Sequence, residues 1–212
     1  MEINDKMPKV RLYSQIIQPD AKMVRRLQAN SLPRTGKRKK AGKEVNSMKK
    51  LPFDLEDMVE FLIEAREHGY QGKGKKEKKP QIPDHNEFYY KKGDFEYRDS
   101  YPEGDSTTGG REVILYKGKE VWQMFYNGGM LPQFQGKPKL AKKTYAFLKK
   151  ALCKVDKLHP FRGPARFTSK KNVYVNQSEG DITRFKGTEK IYHKFSEVFS
   201  QDYIGGLIID KS

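Results

Sequence analysis

The sequence predicts an α+β fold, a strongly curved antiparallel sheet built from hairpins with two packed helices, and three observations lead there. Apolar residues recur with helical spacing in two segments, 54 to 68 and 138 to 153. After His85 the period elsewhere is two, with aromatic and β-branched residues dominating the runs. The segments follow one another as helix, four strands, helix, four or so strands, a segregated order that argues against a doubly wound parallel sheet.

The first helix is written in its caps. Asp54 is a good N-cap, and Glu56, Asp57 and Glu60 suit the positive end of the helix dipole. Leu55, Met58, Val59 and Leu62 recur at i, i+3, i+4 and i+7, and Gly69 supplies the stop. The glycine, lysine and proline loop 71–83 follows, and its sequence fits an open chain as well as a flap over a ligand. "NEFYY" and "DFEYRDSY" flank the turn-like "KKGD", and "EVILY" and "EVWQMFY" flank "KGK", which makes two hairpins. The second helix buries Leu140, Ala141, Tyr145, Leu148 and Leu152 and turns lysines outward. Beyond "HPFRGPARF" the runs "NVYVN", "DITRFKG", "EKIYHKF" and "DYIGGLIID" are expected strands. The two halves share a helix-then-hairpins plan without a convincing internal repeat.

Charge divides the chain. Its net charge is +16, and residues 1 to 50 hold 14 Lys and Arg against 4 Asp and Glu. Residues 1–52 therefore read as a basic, largely flexible arm, and 53–212 as one α+β domain. Within the arm, Arg34, Lys37, Arg38, Lys39 and Lys40 form a cluster suited to phosphate contacts, to nuclear import in a eukaryote, or to plain solvation. Such a surplus favours polyanions, nucleic acid first among them. Cys153 is the only cysteine, which excludes an internal disulfide and suits a reducing compartment. No apolar run reaches the length of a membrane span, and the expectation is a cytoplasmic protein.

The pieces "FLIEARE", "YRDSY", "GGREVILYKGKEVWQMFYNGG", "LKKAL", "PFRGPARF", "GDITRFKGTEKI" and "YIGGLI" occur in this order over residues 61 to 208. In order and spacing they resemble the domain-of-unknown-function family numbered 5680. The resemblance implies a fold unit without an assigned reaction, found in prokaryotic proteins, in places behind a DNA-binding helix-turn-helix, where it would serve as an effector or sensor. Residues 1 to 50 hold no two-helix DNA reader of ordinary length.

Candidate chemistry centres on Arg98 and Asp99. Successive strand residues point to opposite faces, so Asp99 shares its face with Phe95, Tyr97 and Tyr101 and must be hydrogen-bonded, paired or bound. It is read either as a buried carboxylate fixing a turn or as a ligand contact. Glu112 and Glu189 each follow a glycine-bearing turn, and with Asp99 they are the catalytic set if the protein is an enzyme, holding Mg²⁺ or Mn²⁺ if they converge. Otherwise each carboxylate is a separate ion pair, with Arg98, Arg111 and Arg162 as mates. Arg162, on the constrained turn "FRGP", suits a phosphate or carboxylate. Trp122 and Tyr126 are candidate stacking surfaces, although strand-period aromatics are more often core. The histidines lack metal-ligand spacing, Cys153 reads as a buried inert thiol, and the glycine pairs at 128–129 and 205–206 match no nucleotide motif.

The functional expectation is a binding module with a regulatory role, recognising nucleic acid or a small anionic ligand. Arg98, Asp99, Glu112, Trp122, Tyr126, Arg162 and Glu189 would form its pocket, and no cofactor is required. A metal-dependent hydrolase or nuclease is the alternative, and a basic protein-interaction or inhibitor protein is another.

Overall fold

The computed structural model describes residues 51–208, apart from 73, 105, 156, 158 and 159. The arm up to residue 50, with Arg34, Lys37, Arg38, Lys39 and Lys40, lies outside the described residues, as does the helical turn expected at "DAKMVRRLQAN".

Among the described residues, two α-helices and eight strands follow one another as α1 (Leu55–His68), β1 (His85–Lys92), β2 (Phe95–Pro102), β3 (Thr107–Tyr116), β4 (Lys119–Met130), α2 (Pro138–Leu152), β5 (Arg166–Ser169), β6 (Asn172–Asp181), β7 (Arg184–His193) and β8 (Ser196–Leu207), with a 3-10 turn at Pro132–Phe134. All strand pairs are antiparallel, in one open sheet of order β1-β2-β3-β4-β8-β7-β6-β5. The fold is α+β. Asp54 caps α1 through Oδ1, which accepts from Glu56 N at 2.8 Å and Asp57 N at 3.3 Å. The "KGK" turn closes with Lys117 and Gly118 both at positive φ, the conformation a two-residue hairpin requires. Two expected strands, "DITRFKG" and "EKIYHKF", do not exist separately. Ile182 and Thr183 form the turn after β6, and β7 runs unbroken from Arg184 to His193. Short β5 pairs with β6 where no strand was expected.

The sheet is two four-stranded meanders joined edge to edge by β4 and β8, and each meander is preceded by its helix. The repeat that the sequence hides is exact in register. Tyr97, Asp99, Gly110, Glu112, Ile114 and Tyr126 correspond to Tyr174, Asn176, Gly187, Glu189, Ile191 and Tyr203, each pair separated by the same number of positions. Asp99 lies opposite Glu112, and Asn176 opposite Glu189. Tyr126 and Tyr203 are themselves partners across the β4–β8 seam. So few residues carry the duplication that composition and period alone do not reveal it.

One face of the sheet holds the core. Met58, Phe61, Leu62 and Ala65 of α1 join Tyr97, Ile114, Trp122, Phe161 and Phe185 in one cluster. Phe147, Leu148, Ala151 and Leu152 of α2 join Met130, Tyr174, Ile191 and Phe199 in the other. Trp122 is fully buried, stacks on Phe185 and donates Nε1–H to Ile182 O at 3.1 Å. Among the described residues, no helix is long and apolar enough to cross a membrane.

The duplicated glycines are the tightest test of this packing. A Cβ at Gly110 would stand 2.4 Å from the Tyr126 hydroxyl, and one at Gly187 would stand 2.4 Å from the Tyr203 ring. Gly110→Ala and Gly187→Ala are each expected to cost about 1–3 kcal/mol through overpacking. Urea unfolding of the two variants checks this, with similar losses expected because the two environments repeat.

Candidate functional site

The centre of the buried face is charged. Arg66 belongs to the apolar stripe of α1, one turn after Leu62, and is 1% exposed. Its Nε donates to Glu112 Oε2 at 2.7 Å, while Nη1 and Nη2 donate to Pro160 O at 2.6 Å and Phe161 O at 2.8 Å. These bonds hold the segment that carries Arg162. From there Arg162 Nη1 donates to Glu112 Oε1 at 3.3 Å, and Nε and Nη2 reach Glu189 Oε1 at 3.1 and 2.9 Å. Glu189 also accepts from Tyr174 at 2.7 Å and Gln201 at 2.8 Å. Gly163 N–H donates to Tyr174 Oη, and a Cβ at Gly163 would meet that ring within 2.8–2.9 Å. This glycine therefore serves close packing against Tyr174. The guanidinium of Arg162 lies over the Tyr126 ring, 4.8 Å from its centroid.

A cavity of about 540 Å³ opens onto this network. Its floor carries Arg66, Asp99, Glu112 and Arg162, and its walls carry Tyr70, Tyr97, Tyr101, Tyr126 and Tyr145. Gln201, Thr108, Glu103 and, from α2, Lys142, Leu148 and Leu152 are also among its lining, so both halves contribute. Thr108 Oγ1 is buried without a hydrogen-bond partner. Asp99 differs from its carboxylate neighbours. It is 4% exposed and accepts from Tyr126 Oη at 2.8 Å, but has no ion pair among the described residues. Burial, and then the nearby charge of Glu112, push its carboxyl up to about 7, against the pull of Tyr126, Arg162 and Arg66. Burial also raises the Tyr97 and Tyr126 hydroxyls well above the usual range and lifts Tyr145 to about 12. At Arg162 burial favours the neutral form, yet the charges of Glu189 and Glu112 prevail and hold it more firmly protonated.

Of the residues singled out from sequence, Asp99, Glu112, Tyr126 and Arg162 meet at the cavity. Glu189 lies behind Arg162, fully buried, and does not line it. Arg98 points to the other face, where it pairs with Glu87 at 2.6 Å and lies over Tyr89. Trp122 is core rather than cavity wall. Arg111 pairs with Glu120, so neither Arg98 nor Arg111 is a mate of the central carboxylates. Cys153 is exposed, and its Sγ donates to Gln71 O at 2.6 Å, contrary to the expected burial. The loop after α1 is tied to β1, where Glu77 N and Gln81 N donate to Glu87 O and Glu87 Oε2 at 2.7 and 3.2 Å.

Arg66 is the main residue that sequence reasoning passed over. Its signal was present, since a cation on the apolar stripe of an amphipathic helix needs a buried partner. Tyr70 and Tyr145 carried no such mark. Mg²⁺ or Mn²⁺ does not fit the carboxylates. Glu112 and Glu189 already accept from two guanidinium groups, whose positive charge opposes a cation there. Among the described residues no group of three or more His, Cys, Asp or Glu could hold a metal ion.

Compared with known proteins, residues 99–208 match the family model described as Domain of unknown function (DUF5680). None of the curated proteins and none of the solved structures matches the chain.

Two outcomes test the electrostatics. Glu112→Gln leaves Arg66 buried beside a neutral group and is expected to cost about 3–5 kcal/mol in urea unfolding. Asp99, raised above its unfolded value, binds its proton more tightly in the folded state. Its stabilising share is thus complete below about pH 4 and lost as pH rises through about 7. Stability referenced to Asp99→Asn should fall by about 1 kcal/mol per pH unit across that window.

Proposed function

We propose that this chain, which belongs to the DUF5680 family, is a small-molecule-binding module whose cavity takes a largely aromatic or aliphatic ligand presenting a hydrogen-bond donor or a cationic amine to Asp99. The observation that carries this reading is the contrast on the cavity floor: Arg66 and Arg162 are balanced by Glu112 and Glu189, while Asp99 has only a tyrosine hydroxyl. Charge alone suggested an anionic ligand, but every guanidinium nitrogen of both floor arginines already has a partner, a carboxylate or carbonyl for Arg66 and carboxylates for Arg162. Five tyrosines and a carboxyl without an ion pair, Asp99, beside the paired Glu103 and Glu112, suit a cationic or donor-bearing guest, because ring faces attract positive charge. The volume lies within the range of about 300–1,000 Å³ of small-molecule sites.

The role is binding with regulatory duty, in which occupancy stiffens the contact between the halves that share the cavity walls. A cytoplasmic setting suits the exposed thiol of Cys153. A second reading, proton transfer by Asp99, draws on its carboxyl titrating near neutrality within reach of Tyr126.

Thermal unfolding of the full chain with matched aromatic amines, phenols and aromatic carboxylates tests the ligand class. Amines are expected to raise Tm by about 5 °C near a hundredfold excess over Kd, more at pH 8 than at pH 6, because Asp99 is ionised above about 7. Asp99→Asn should abolish the amine shift. Carboxylates that stabilise more than amines, and still more in Asp99→Asn, would mean an anion site instead.

A further inference from the structure

Away from the cavity, α2 presents a second feature. From Lys137 to Val155 the chain contains no acidic residue, and Lys139, Lys143 and Lys150 fall on one exposed stripe of the helix at i, i+4 and i+11. The opposite side of α2 is spent in the core through Ala141, Leu148 and Leu152. Phe147, one turn beyond Lys143, stacks on Phe167 of β5 at 5.6 Å between ring centroids. That contact brings the lysine stripe to the turn of the β5–β6 hairpin, where Lys170 and Lys171 are exposed. The β7–β8 turn joins them directly, since Lys194 N–H donates to Lys171 O at 2.9 Å. The closeness is felt by His193, whose imidazole is held below its usual range by burial and then by Lys194, Lys171 and Lys143.

None of Lys139, Lys143, Lys150, Lys170, Lys171 and Lys194 has a carboxylate partner among the described residues. Glu197, at the start of β8, already accepts from Lys190 and Tyr192. Other lysines of this fold do have carboxylate partners, as Lys91, Lys92, Lys157 and Lys186 have in Glu96, Glu64, Glu60 and Glu179. We infer that this face of α2 and its two adjoining hairpin turns binds the phosphodiester backbone of a nucleic acid.

Charge complementarity selects the partner. Three lysines along a helix of about 22 Å, with three more on the adjoining turns, meet a polyanion carrying one charge per about 1.7 Å of duplex axis. A membrane surface fits less well, because an interfacial helix needs an apolar face to insert and α2 has buried its own. The contacts are to phosphate, so they set affinity and salt dependence without reading sequence.

Fluorescence anisotropy of the full chain with labelled duplex DNA and duplex RNA, between 50 and 200 mM KCl, tests the assignment. In Lys143→Glu/Lys171→Glu/Lys194→Glu, affinity should fall at least about tenfold and the slope of log K against log salt should shrink by about 3, one unit per lost contact. The control Lys75→Glu/Lys78→Glu/Lys79→Glu carries the same charge change on another loop and should keep most of the binding. The Lys→Gln version of the first triple, with circular dichroism of each variant, separates lost contacts from lost folding. Wild-type affinity in the first triple, or an equal loss in the control, overturns the assignment. A polyglutamate chain that competes as well as the duplex overturns the partner class. Preference between the DNA and RNA arms identifies which duplex carries the backbone.

Discussion

Four charged side chains, Arg66, Glu112, Arg162 and Glu189, run in an unbroken series of contacts across the buried face, from the helix of the first half to the sheet of the second. Burying them costs several kcal/mol for each ion, and that cost is offset only where the remaining donors and acceptors are satisfied. Here they are: Arg66 uses two backbone carbonyls, and Glu189 takes two neutral donors besides Arg162. Alternation of sign gives every charge an opposite neighbour, and Glu112 and Arg162 one on either side. The same contacts hold residues 160 to 164, a stretch without regular secondary structure that would otherwise have little reason to adopt one path.

The duplication explains why the series crosses the molecule. Each half brings a tyrosine on its second strand, a glutamate on its third and a tyrosine on its fourth, and the β4–β8 seam sets the two sets face to face. The halves then diverge in what they keep. In the second half Asn176 stands where Asp99 stands in the first, and both its donor and its acceptor are consumed by Gly163 O and Tyr203. In the first half the carboxyl retains only its tyrosine, and the space beside it is open. A symmetric scaffold thus carries an asymmetric cavity. The difference rests on the replacement of an amide, which can both donate and accept, by a carboxyl, which when ionised can only accept.

Helix α2 serves two environments at once. Leu148 and Leu152 wall the cavity while Lys139, Lys143 and Lys150 face solvent. A ligand pressing on the cavity wall therefore bears on the element that presents the lysines. This is a physical route by which occupancy and the basic face could be coupled, through one rigid helix.

The sequence by itself determined the local elements and their facing. Asp54 and Gly69 bounded α1, Lys117-Gly118 closed a hairpin, and the period of two placed Asp99 with Tyr97 and Tyr101, because capping, turn chemistry and pleat alternation act over a few residues. The split of β7 failed for the same reason in reverse, since Gly187 reads locally as a break and is in fact the space into which Tyr203 fits. Only the tertiary structure decided which edges meet. The pairing of β4 with β8, Arg66 rather than Arg98 or Arg111 beside Arg162 as a partner of Glu112, and Tyr70 and Tyr145 as cavity walls all depend on contacts far apart in the chain. Those contacts are selected by shape and charge complementarity between whole faces, which no short window of sequence contains.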